Sequence, residues 1–110
     1  MSLITTIVYK TDTNKEPFTE WFLDLDTGTR AIVSARLKRL KLGNFGNCKP
    51  LKNASGVCEL VIDYGPGYRI FFGKDTNVIV VLLFGGDKGS QDKDIARAKK
   101  YWLDYKESEK

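Results

Sequence analysis

Histidine is missing from this 110-residue chain altogether. Its absence excludes imidazole acid–base catalysis, a Ser-His-Asp triad and His-ligated metals, so proton transfer falls to Asp, Glu, Lys, Tyr or Cys, or to groups assisted by Arg. Cysteine is scarce: Cys48 and Cys58 are the two present, and their spacing fits neither a CxxC redox pair nor a zinc knuckle. They read as free thiols or core filler. No window approaches the roughly 18 apolar residues of a membrane span, and the opening MSLITTIVYK has no basic segment leading into a long apolar one. No membrane partner is expected, and the expected location is the cytoplasm. Repeats, linkers and low-complexity segments are lacking too.

What is there suits a folded globule. Apolar residues make up 42% and charged residues 29%, far from the composition of disorder, and the length is that of one domain spanning residues 1–110. Eighteen Lys and Arg against fourteen Asp and Glu leave a net charge of +4, which favours polyanionic partners. Arg30, Arg36, Lys38, Arg39 and Lys41 crowd one helical stretch, and Lys49 and Lys52 follow in the next loop. Such a cluster reads as a solvated helix face or as an RNA-binding surface.

The periodicity predicts an α+β order. Leu3 to Lys10, rich in β-branched residues, reads as a strand, and Asp12 to Lys15 as a turn. Pro17 opens a short helix over about 17–25, with Phe18, Trp21, Phe22 and Leu25 at helical spacing, before Asp26-Thr27-Gly28 interrupts it. A second helix runs from about Thr29 to Leu42, with Ile32, Ala35 or Arg36, and Leu40 on its apolar stripe and Gly43 as its stop. Asn44 to Ser55 reads as a loop. Val57–Tyr64, Tyr68–Lys74 and Val78–Phe84 form an antiparallel meander joined by hairpin-length links, the last run central and buried on both faces. Gly85 to Gly89 is its exit loop. A last helix covers about Asp92 to Tyr105, with Ile95, Ala98, Trp102 and Tyr105 on one face, and the terminal KESEK reads as frayed.

Within this order, FTEWFLDLD, LKLGNFGNCKPL, GVCELVIDYGPGYRIFF and VVLLFGGDKGSQDKDIARAKKYW together resemble the RelE/ParE toxin superfamily, and within it the phage-related addiction-module killer proteins similar to HigB. The resemblance covers about residues 5 to 105. It implies a RelE-like, microbial-RNase-type fold and the toxin of a type II toxin–antitoxin pair. The implied partners are a helix-turn-helix antitoxin from an adjacent gene, mRNA and the ribosome, with operator DNA reached through the antitoxin alone. The implied activity is metal-independent cleavage of mRNA on the ribosome, with no cofactor. ParE-like members instead imply a non-enzymatic inhibitor of DNA gyrase.

Metal-free RNA cleavage requires a deprotonated 2′-OH, stabilisation of charge on the phosphorane and protonation of the leaving 5′-oxygen. Arg69, inside the GPGYR match, is the candidate grip on the scissile phosphate, because its planar fork of donors matches phosphate oxygens; otherwise it is a salt-bridged strand arginine. Lys88, in the GGDK segment, is the second candidate phosphate contact. That segment lacks the GxxxxGK[ST] spacing of a nucleotide cradle. Gln91, Asp92 and Asp94 open the last helix, where an acidic residue or Ser90 serves as a cap; by resemblance Asp92 or Asp94 takes the proton-transfer role. Candidate RNA contacts are Lys49, Lys52, Arg36, Arg39, Tyr68 and Gln91, with Tyr68 offering a ring for base stacking. Where relatives carry an ELR-like triplet, this chain has Glu59-Leu60-Val61, and Val61 cannot bind phosphate. A catalytically degenerate module that keeps antitoxin and operator binding is therefore a further reading.

Overall fold

A computed structural model describes residues 3–52 and 56–108, apart from the side chains of Lys88 and Gln91. The elements are β1 (Thr5–Val8), α1 (Pro17–Leu23), α2 (Thr27–Lys41), β2 (Cys48–Pro50), β3 (Val57–Ile62), β4 (Tyr68–Lys74), β5 (Ile79–Asp87), a 3-10 turn (Lys88–Ser90) and α3 (Gln91–Ser108). Among the described residues no helix is long and apolar enough to cross a membrane.

Local chemistry sets the helix limits. Pro17 occupies the first turn of α1, where no backbone N–H is required. Asp26 is the cap of α2 rather than a breaker: its carboxylate accepts the Thr29 N–H at 2.7 Å, so the helix begins at Thr27, ahead of the expected Thr29. Its end is a Schellman closure. Gly43 takes φ +92°, its N–H reaches the Leu40 carbonyl, and the Asn44 N–H reaches that of Arg39. Within α2 the buried positions are Thr29, Val33 and Leu40, while Ala35 is exposed. Fraying is expected over Lys106 to Lys110, but Lys106, Glu107 and Ser108 continue α3; Glu109 and Lys110 lie outside the described residues.

The expected meander is the middle of a larger, mixed sheet of order β1-β5-β4-β3-β2. β3, β4 and β5 are antiparallel neighbours, but β1 joins β5 in parallel, Thr5 facing Ile79 and Val8 facing Leu82. This places β4 at the centre and β5 beside it. Cys48–Pro50, expected as loop, pairs antiparallel with β3 as a three-residue edge strand. The remainder of that loop includes Asn53, Ala54 and Ser55, which lie outside the described residues.

Each face of the sheet has its own core. Ile4, Cys58, Leu60, Ile62, Ile70, Phe72, Val80 and Leu82 pack with Phe18 of α1 and with Val33 and Leu40 of α2. Tyr9, Val57, Phe71, Val81 and Leu83 pack on the other face with Ala98 and Trp102 of α3. As expected, β5 is buried on both faces. Phe71 and Phe72, one on each face and both at 0% exposure, contribute about 1.5–3 kcal/mol each.

Two glycine pairs let the helices sit close. A Cβ on Gly73 would enter the Trp102 ring, and one on Gly85 would enter that of Trp21. Gly85, Gly86 and Asp87 accordingly belong to β5 and not to an exit loop, which begins at Lys88.

Candidate functional site

On the α3 face, β2, β3 and β4 bring three charged residues together. Lys49 faces Glu59 across the β2–β3 ladder, and Arg69, opposite Val61 on β4, lies diagonally beside Glu59. Arg69 Nε is 3.2 Å from Glu59 Oε2, and Lys49 Nζ is 3.9 Å from Glu59 Oε1. Glu59 has 5% of its side chain exposed and Arg69 13%, whereas Lys49 is 63% exposed, so the row runs from a dry interior to solvent.

The pairing is Coulombic more than hydrogen-bonded. Arg69 Nε and Nη1 and Glu59 Oε2 are buried, and none has a hydrogen-bond partner of good geometry among the described residues. An ion pair at this depth is stabilised when its spare donors and acceptors are met. Arg69 therefore retains donor capacity within a fixed frame.

The row continues to α3. Arg69 pairs with Gly86 of β5, and the Asp94 carboxylate lies so close over Gly86 that any Cβ there would collide with it. Asp94 is 5% exposed and accepts a 2.7 Å hydrogen bond from Ser90 Oγ. Ser90 thus faces Asp94 within the first turn of α3, while Asp87 Oδ1 accepts the Gly89 N–H at 2.9 Å and steadies the turn into the helix. The sheet brings Arg69, Glu59 and Lys49 to one face, and Asp94 sits on that face over Gly86 of the adjacent strand β5.

The other candidates are spread more widely. Asp92 is exposed at the start of α3. Lys88 lies in the 3-10 turn and Gln91 is the first residue of α3, but their side chains fall outside the described part. Lys52 is exposed just beyond β2. Tyr68 is adjacent to Arg69 in the chain, and strand alternation sends it to the α1/α2 face, where it meets Trp21 edge-on with ring centroids 6.4 Å apart. Arg36 and Arg39 belong to α2, on that same opposite layer. Arg36 donates from Nη1 to the Val61 carbonyl at 3.2 Å, tying α2 to β3, and Arg39 is exposed.

Sequence reasoning dwelt on Val61 and passed over Glu59. The signal was present: Glu59 is a lone charge inside the apolar run Val57–Ile62, at a position that strand alternation turns inward with Val57. Among the described residues no three Cys, Asp or Glu side chains gather as a metal-ligand set.

Residues 20–102, which contain this whole row, match the family model described as Phage derived protein Gp49-like (DUF891). The chain belongs to the Gp49-like family. Gp49-like proteins are associated with addiction-module killers of toxin–antitoxin systems. A relative from Haemophilus influenzae, described as an uncharacterized protein, is 46% identical over 83 residues, covering 74% of this chain and 82% of its own length.

Proposed function

We propose that this Gp49-like protein is the toxin of a type II toxin–antitoxin pair with a RelE-like fold. In this reading it is a metal-independent, ribosome-dependent mRNA endonuclease of the cytoplasm, held inactive by a helix-turn-helix antitoxin that also carries it to operator DNA. The observation that carries the reading is Arg69: a guanidinium fixed beside a buried carboxylate, with donors still unmet. A phosphate oxygen is a natural partner for those donors.

The roles follow from the layout. Arg69 holds the scissile phosphate and offsets the charge that builds as the 2′-oxygen attacks, and Lys88 is the second phosphate contact. Asp94, at the Ser90 end of α3, or the exposed Asp92, moves the proton. Lys49 and Lys52 follow the RNA backbone outward from Glu59. Gln91 borders the same helix start. Tyr68, Arg36 and Arg39 sit on the opposite layer and would serve ribosomal or antitoxin contacts in place of the reacting nucleotide.

Val61 favours a second reading. It occupies the cross-strand position facing Arg69, and an apolar side chain there supplies no charge to a transition state. Loss of one such donor costs on the order of a hundredfold or more in rate. A degenerate antitoxin-binding module or a gyrase inhibitor would tolerate that loss. Mapping new mRNA 5′ ends in a bacterial translation extract, with and without ribosome loading, separates the readings. Translation-dependent cuts that vanish in Arg69→Ala support the endonuclease; intact mRNA at every protein concentration rejects it, and double-strand DNA breaks with intact mRNA identify gyrase as the target.

A further inference from the structure

Two thiols outside the proposed chemistry meet at the edge of the sheet. Cys48 on β2 pairs with Leu60, and Cys58 on β3 pairs with Pro50, so the cysteines are diagonal neighbours on adjacent antiparallel strands. Both face the α1/α2 layer, where Cys58 is part of the core and Cys48 packs against it. Their side chains are hydrogen-bonded to each other. Phe72 is the β4 partner of Cys58, Phe45 tilts against Phe72 at 5.9 Å, and the Lys74 ammonium rests over the Phe45 ring at 4.5 Å.

The two thiols are unequal. The hydrogen bond from Cys48 brings the Cys58 thiol down to about 7, with burial opposing and the Lys74 charge assisting. The same hydrogen bond, together with burial, pushes Cys48 well up. Of the two, Cys58 is the readier to ionise and Cys48 the one that keeps its proton, the division of labour found in pairs that oxidise together.

We propose that Cys48 and Cys58 form a redox-sensitive dithiol, which hydrogen peroxide converts into an intramolecular disulfide fastening β2 to β3. The Cys58 thiolate attacks one peroxide oxygen, the O–O bond breaks, hydroxide leaves and Cys58 becomes a sulfenic acid. The Cys48 sulfur then attacks the Cys58 sulfur; the S–O bond breaks, and water departs with the Cys48 proton. The thiols give up two electrons, and peroxide is reduced to hydroxide and water. Diagonal partners in a sheet are about 7–8 Å apart, more than a relaxed disulfide spans, so β2 must slide a little along β3 to bring the two sulfurs together. A three-residue edge strand with one neighbour is the element of this fold best able to make that shift. The disulfide would fix the strand that carries Lys49 alongside Glu59. The proposal stands independently of the endonuclease reading.

The test is intact-mass and peptide analysis of the purified full chain after hydrogen peroxide treatment, without reductant. The expected product is a monomer lighter by two hydrogens, with the Cys48 and Cys58 peptides cross-linked and released by dithiothreitol. In Cys48→Ser, dimedone should trap Cys58 as its sulfenic acid. In the wild-type protein at neutral pH, substoichiometric iodoacetamide should label Cys58 ahead of Cys48, by on the order of tenfold or more, as read by peptide mapping. Disulfide-linked dimers without an internal cross-link, separate oxidation of each sulfur, or a faster Cys48 would each overturn the proposal. The wild-type mass result decides the matter even if a serine variant folds poorly.

Discussion

Arg69 and Glu59 stand diagonally across β4 and β3, with Nε and Oε2 3.2 Å apart in a part of the sheet nearly closed to water. Each protects the fold from the other's charge. Glu59→Leu is expected to destabilise the protein by about 3–5 kcal/mol, because it strands a buried guanidinium, whereas the double change Glu59→Leu with Arg69→Met should cost much less than the two singles combined. Urea unfolding of the four proteins checks this; additive losses would show that the pair is not coupled.

Gly86 is held to glycine by the Asp94 carboxylate above it. Gly86→Ala should displace Asp94 and lower stability by about 1–3 kcal/mol. Pairing it with Asp94→Gly should recover most of that packing loss, read as a higher Tm than in the single Gly86 variant.

Tyr9 donates to Asp104 Oδ2 at 2.5 Å, joining the chain just after β1 to α3. Tyr9→Phe should cost about 1.5–3 kcal/mol at neutral pH, as expected for a hydrogen bond to a charged acceptor. Burial first, and then Asp104, hold the Tyr9 phenol above its ordinary range. A raised folded value means the contribution is complete below the unfolded value of about 10 and is lost as pH rises beyond it. The gap between wild type and Tyr9→Phe should therefore narrow in alkaline solution, and a constant gap would argue against the linkage.

Asp26 behaves oppositely. Its carboxyl lies below the ordinary range because the Thr29 backbone N–H bonds to it at the head of α2. The cap's contribution is present above the unfolded carboxyl value and disappears as pH falls through the folded one. Asp26→Ala should melt earlier than wild type at pH 7, with the difference closing in acid; thermal scans across that range measure it.

Binding of a fluorescent single-stranded RNA should weaken steeply with salt if several Lys and Arg contact phosphates. Lys49→Gln and Lys52→Gln should each reduce the slope of log K against log salt by about 0.7. A slope near zero in the wild type would remove polyanions from the set of partners.

The order of elements was legible because helix and strand periods differ so clearly here. Pro17, Gly43 and the Gly65-Pro66-Gly67 turn mark limits that the fold respects, and Trp102 lies in the core assigned by its spacing, with the half-buried Tyr105 packed against it. Pairing was harder to read. Nothing local in Thr5–Val8 says that its partner is β5, since parallel neighbours are chosen by the whole sheet. Cys48–Pro50 was hidden by its length and its proline, which is tolerated because the strand is an edge. At the candidate site, Arg69, Lys49 and Asp94 were each visible in the sequence, but Glu59 and the way the row comes together were not. Glu59 and Lys49 come from other strands and depend on register, while the seating of Asp94 over Gly86 depends on a helix angle.

The parallel pairing of β1 with β5 also sets a schedule for synthesis. Thr5 to Val8 leave the ribosome well before Ile79 to Leu82, their hydrogen-bonding partners. Until that distant segment emerges from the exit tunnel, the nascent chain carries an unpaired strand and both cores stay open. Whatever this protein does to its targets, it becomes able to do so only after Ile79 to Leu82 have been made.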